Sequence, residues 1–226
     1  MTANHQPIHD EPRRLRITVF GAAGSVGSRA VAEALSRGHE VTAAVRDPAR
    51  HDLPAAANAR AGDAGNAEDV AQLSAGQDVV ITATRPAPGH ESELVTTTRT
   101  LLAGLARTGG RLLVCGGAGS LTVPGAGATT VIDDPNFLSP AYRDLAQACT
   151  DQLDACRAET QVDWAYLSPP ARLEPGKRTG TYRLGTDELL VDAEGGSTIS
   201  IEDLAVALLD EAERPTHHRT RFTVAY

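Results

Sequence analysis

The chain has 226 residues, a formal net charge of −8, and 41% hydrophobic against 22% charged residues. That composition suits one sizeable α/β domain with a real core and argues against a disordered polymer, while an acidic balance without a basic patch argues against nucleic acid as a partner. No apolar run reads as a signal-peptide core or a bilayer span, and Cys115, Cys149 and Cys156 lack metal-ligand spacing, so the expectation is a cytoplasmic protein with buried thiols and no membrane partner.

Residues 1–13, with His5, Pro7, His9 and Pro12 and no apolar periodicity, read as a disordered leader; residues 14–226 read as a single domain. From Leu15 onward short apolar runs alternate with longer helical patterns, the mark of βαβ units around a parallel sheet. Strands are predicted at 15–20, 40–45, 58–61, 78–84, 111–115 and 162–167. Helices are predicted from the glycine loop to Arg37, with Gly38 as the stop, and at 67–73, 91–107 and 140–159. Beyond them come a hairpin of 181–184 with 189–191, a helix 201–213 and a last strand 221–224. The fold class is α/β: a Rossmann-like doubly wound parallel sheet with a small C-terminal substrate-side appendage.

Between the first strand and the first helix stands Gly21-Ala22-Ala23-Gly24-Ser25-Val26-Gly27. Three glycines at that spacing allow a tight turn, close backbone approach to a pyrophosphate and close packing of helix on strand, and the helix N-terminus offers amides to an anion. Gly21, Gly24, Ser25, Val26 and Gly27 are therefore candidate dinucleotide ligands. The end of the second strand selects the nicotinamide cofactor, because a carboxylate there suits a ribose diol and an arginine a 2′-phosphate. Arg46 occupies that place and favours NADPH, with NADH as the alternative. Asp47, before Pro48, reads as a turn residue, and Arg50 as a second contact.

After the third strand, Asp63 is placed to accept from the adenine amino group with the Ala64 backbone beside the ring; a helix N-cap is an equal reading for Asp63. Thr82, Ala83 and Thr84 end the fourth strand beside the nicotinamide ribose. The loop 85–90 is stiffened by Pro86 and Pro88 and either covers the site or simply connects. Gly116 and Gly117 directly follow the fifth strand, and Ser168 and Pro169 end the sixth on the same sheet edge, so these four join the cofactor candidates. His217 and His218 lack ligand-spaced partners and read as a solvated pair. Trp164 and Tyr166 alternate with Ala165 and Leu167, so a core role is expected for them, with cofactor stacking secondary.

These residues, with Cys115-Gly116-Gly117-Ala118-Gly119-Ser120-Leu121, Gly180-Thr181-Tyr182-Arg183 and Arg221-Phe222-Thr223-Val224-Ala225-Tyr226, resemble the NAD(P)H-binding atypical short-chain dehydrogenase/reductases. The resemblance is to the NADH-flavin-reductase-like group and, more distantly, to biliverdin reductase B and NmrA-like proteins. It implies a cofactor-binding monomer or homodimer that passes hydride to a small planar acceptor such as a flavin, a quinone or a biosynthetic intermediate. The superfamily's Tyr-x-x-x-Lys pair is incomplete: Tyr142-Arg143-Asp144-Leu145-Ala146 has alanine at the lysine position. A phenol without a nearby cation keeps a pKa near ~10 and is a modest acid at neutral pH, so acceptors that need no matched proton relay are favoured. Ser120 and Tyr142 are the candidate polar, catalytic contacts to substrate. A non-catalytic redox sensor and an isomerase or epimerase that keeps its nucleotide are the alternative functions.

Overall fold

Short apolar runs become strands, and the amphipathic stretches between them become helices that cover both faces of the sheet. A computed structural model describes residues 13–226, in which β1 (Arg16–Phe20), α1 (Ser25–Ser36), β2 (Glu40–Val45), β3 (Asn58–Ala61), α2 (Ala67–Ser74), β4 (Val79–Thr82), α3 (Glu93–Thr108), β5 (Arg111–Cys115) and α4 (Arg143–Arg157) alternate. β6 (Trp164–Ser168), β7 (Arg172–Glu174), β8 (Arg183–Gly185), β9 (Thr198–Ser200), α5 (Ile201–Glu213) and β10 (Thr220–Ala225) follow. The expected leader falls on residues 1–12, outside the described residues, except that Arg13 pairs with Asp78.

The main sheet has the order β3-β2-β1-β4-β5-β6-β10-β8 and is parallel apart from β8, which runs antiparallel to β10. Side chains alternate across it with period two. Ile17 and Val19 of β1 pack with α1 and α5, whereas Phe20 joins the opposite cluster beneath α2, α3 and α4. Both faces are covered, which is why β4, β5 and β6 are apolar on both sides rather than alternating. α2 and α3 approach so closely at Gly104 that a Cβ there would stand 2.5 Å from Val70 Cγ1.

The expected hairpin does not form. Residues 183–185 pair with β10 instead, and the 187–189 segment bridges to Thr122, with Leu189 N–H donating to Thr122 O at 2.9 Å or less. β7 and β9, unanticipated, make a separate parallel pair. Two carboxylates hold this C-terminal half in place. Buried Glu33 of α1 takes a two-pronged grip from Arg178, and buried Asp203 accepts from Thr179, Gly180 and Tyr226. Among the described residues no helix is long and apolar enough to cross a membrane.

Candidate dinucleotide site

The strand order reverses beside β1, with β2 on one side and β4 on the other, and a ligand crevice is expected beyond the carboxyl ends of the strands at such a point. A cleft of about 980 Å³ lies there. Gly21, Gly24, Ser25, Val26, Arg46, Asp63, Ala64, Ala83 and Thr84 all line it, so residues far apart in sequence converge on one surface.

Gly21 has φ 77°, and a Cβ on it would stand 2.7 Å from the carbonyl oxygen of Ala83. Only glycine meets both demands, and the loop is thereby held flat against the end of β4. Gly27 does not line the cleft. Its Cβ would fall 2.1 Å from Gly21 O, so its part is to let α1 press onto the loop. α1 begins at Gly24 with no side-chain cap and no acidic residue in its first turn, whereas α2 is capped by Asn66 and α5 by Ser200. The first-turn amides of α1 thus face the cleft without a side chain claiming them, as an incoming pyrophosphate requires.

Arg46 is exposed at the end of β2 and has no ion-pair partner among the described residues. Arg50 lies outside the lining: its Nε sits 3.0 Å from Asp47, which also caps the short 3-10 turn by accepting from Ala49 N–H. Asp63 is not a helix cap, since Asn66 holds that position. Its Oδ1 accepts from Gly65 N–H at 2.8 Å in a local turn. Thr82 is buried, its hydroxyl 3.1 Å from that of Thr84.

Besides Gly27, Arg50 and Thr82, six sequence candidates sit apart from this lining. Gly116 and Gly117 press onto the protein interior, where a Cβ on Gly116 would collide with the Tyr166 ring and one on Gly117 would stand 2.7 Å from Cys149 Cβ. The Tyr166 hydroxyl accepts from Gly117 N–H at 3.2 Å and donates to Cys149 O at 2.8 Å, and burial pushes this phenol well above its ordinary pKa. Tyr166 and Trp164 are both core residues. Ser120 Oγ accepts from Arg221 at 2.8 Å, and the same guanidinium binds Asp187, which clips the loop after β5 to the C-terminal half. Ser168 and Pro169 are buried, the Ser168 hydroxyl without a hydrogen-bond partner. Tyr142 is 55% exposed in the turn that precedes α4.

The lysine position is decided by packing. Ala146 is buried under Gly119, where a Cβ on the glycine would come within 3.1 Å of Ala146 Cβ. A lysine stem has no room there. His217 is not a solvated residue either: its ring stacks on Phe222 at 4.3 Å and contacts buried Glu211 at 2.8 Å.

Sequence reasoning missed His51 and the face of α3 that supplies Thr96 and Thr97 to the cleft. The run Thr96-Thr97-Thr98 at the start of an otherwise amphipathic helix was the available signal for the latter. Loop residues Arg85, Pro86, Ala87 and His90 also line the cleft, so that loop forms one of its walls. No group of His, Cys, Asp and Glu suited to a metal occurs among the described residues.

A glycine cradle, an uncapped helix end and an unpaired arginine on one crevice define a nicotinamide-dinucleotide-binding Rossmann protein. The NAD(P)H-binding family profile matches residues 21–215, and the chain belongs to that family. An uncharacterized protein of Bacillus subtilis (strain 168), YwnB, is 40% identical over 216 residues, covering 93% of this chain and 98% of the relative. A crystal structure of a candidate epimerase from Bacteroides thetaiotaomicron is 36% identical, with TM-score 0.86, 95% of this chain and 98% of the other being covered. A candidate NADH-flavin reductase from Streptococcus pneumoniae TIGR4, SP1627, is 31% identical, with TM-score 0.82 and coverage of 93% and 99%. The expected resemblance therefore holds for the NAD(P)H-binding family and for an oxidoreductase-like Rossmann fold.

Proposed function

We propose that this chain is an NADPH-dependent reductase of small conjugated acceptors that works without a tyrosine-lysine relay. The observation that carries the reading is a cleft lined by the glycine loop and Arg46 in a chain whose lysine position is closed by packing, Ala146 under Gly119. When bound, NADPH supplies a hydride, which with a solvent proton converts a flavin- or quinone-like acceptor to its two-electron-reduced form and leaves NADP+. The chain's own residues bind and orient: Gly21 and Gly24 admit the pyrophosphate, the α1 amides hold it, and Arg46 meets the 2′-phosphate. Rings that delocalise the incoming charge need no matched acid, so positioning carries the rate.

The test is NADPH oxidation by purified protein with a panel of flavins and quinones, followed at the nicotinamide absorbance band. Turnover with conjugated acceptors and none with simple ketones is expected; tight NADPH binding without any turnover would favour a redox sensor. The likeness to the candidate epimerase supports a second reading, in which substrate is converted with no net nucleotide oxidation. Arg46→Ala is expected to weaken NADPH binding by roughly 10-fold to 100-fold and to leave NADH binding nearly unchanged, as measured by titration calorimetry. Equal losses for both nucleotides would remove the 2′-phosphate assignment.

A further inference from the structure

Two arginines line the cleft, Arg46 and Arg85, and neither has a carboxylate within ion-pair distance among the described residues. The acidic groups nearby are otherwise engaged. Asp63 holds its own turn, Glu93 is 3.0 Å from His90, and Glu91 accepts from Gly89 N–H. A guanidinium at a binding cleft with no carboxylate partner keeps its planar donor face available to an anionic ligand.

The two arginines reach the cleft from different strands. Arg46 follows β2 and Arg85 follows β4, strands that flank β1 on opposite sides and so lie about 10 Å apart. The β2 side is the adenosine half and the β4 side the nicotinamide half. Burial pushes the Cys149 thiol up to about 11, and the charge of Arg85, which also helps to hold the Glu91 carboxyl below its ordinary value, pulls against that rise. In this half the cofactor has no anion left to offer. Its pyrophosphate belongs to the glycine loop and α1, and the nicotinamide ring is neutral when reduced and cationic when oxidised. We propose that Arg85 is the acceptor-specificity residue: resting on the reductase reading, it selects conjugated acceptors that carry a carboxylate or phosphate, gripped by the planar guanidinium while the ring lies over the nicotinamide.

The test uses acceptor pairs with one ring and two charges: flavin mononucleotide against riboflavin, and a naphthoquinone with and without a carboxylate arm. Binding to full-length protein saturated with NADP+ is followed by flavin fluorescence or, for the quinones, by calorimetry; kcat/KM with NADPH is measured in parallel. The wild type is expected to bind the anionic member of at least one pair about tenfold more tightly. Arg85→Gln should erase that preference at saturating NADP+, and Arg85→Lys should restore part of it. Equal affinity within both pairs, no binding of either pair, or a preference that survives Arg85→Gln overturns the proposal. So does an Arg85→Gln variant whose only defect is in NADP+ affinity. An Arg85-dependent preference without NADPH oxidation would leave the anion site standing and remove the reductase reading.

Discussion

Gly27 illustrates how a residue can belong to a binding motif without touching the ligand. Its missing side chain lets α1 descend onto Gly21 O, and that descent aims the helix amides at the crevice. Gly27→Ala forces a backbone clash that no side-chain rotation relieves, an overpacking of about 1–3 kcal/mol. For a domain of this size that lowers Tm by roughly 2–4 °C per kcal/mol. A thermal melt and an NADPH titration of Gly27→Ala should show both a lowered Tm and weakened binding; a melt within one degree of wild type would mean that helix and loop are not in contact. Arg46 and Arg50 show the limit of reading single residues. Both are arginines near the end of β2, yet Asp47 claims only Arg50, and that choice depends on the turn geometry at Pro48.

At the scale of elements, the joint between the loop after β5 and α4 is set by close packing. Ala146 and Cys149 lie on the helix face that receives Gly119 and Gly117, and Tyr166 ties the same loop down from below. Ala146→Lys, which would restore the superfamily spacing, is therefore expected to lift the loop and cost about 1–3 kcal/mol without creating ketone reductase activity. Denaturant melts together with ketone-dependent NADPH oxidation check both halves; a stable variant that reduces ketones would refute the packing account. Element type was legible wherever periodicity was strong, as in α5, whose bounds 201–213 agree with its pattern. The hairpin failed because the 187–189 segment found Thr122 while 183–185 found β10, a competition between partners that local pattern does not contain.

At the scale of the molecule, the lower edge of the sheet is bound together through Glu211 of α5. Its carboxylate meets Arg111 of β5 at 2.7 Å and takes further bonds from Thr216 and His217. Burial alone would raise its pKa, but hydrogen bonds from Arg111, His217 and Thr216 outweigh burial and hold it at about 2 against an ordinary 4.5. Because the folded value lies below the unfolded one, this stabilisation is complete above pH ~4.5 and is lost as pH falls from there through about 2. The amount is on the order of 3 kcal/mol. Urea melts between pH 7 and pH 3 should show that acid loss in the wild type and a flatter profile in Glu211→Gln, which starts less stable at neutral pH because the buried Arg111 keeps only the partly exposed Asp163 as countercharge. An unchanged acid slope in the variant would refute the assignment.

The βαβ alternation, the glycine loop and the place of Arg46 directly after β2 were legible along the chain alone, because each depends on residues close together in sequence and on backbone rules that hold in any fold. Packing of distant segments, by contrast, binds Ser120 to Arg221, keeps Gly116 and Gly117 out of the cleft's lining and leaves Arg85 in that lining without an ion pair among the described residues. It also decided that β10 lies between β6 and β8. Those outcomes rest on which distant groups compete for one partner, and a chain settles that only when its sheet has closed and its charges have been paired or left over.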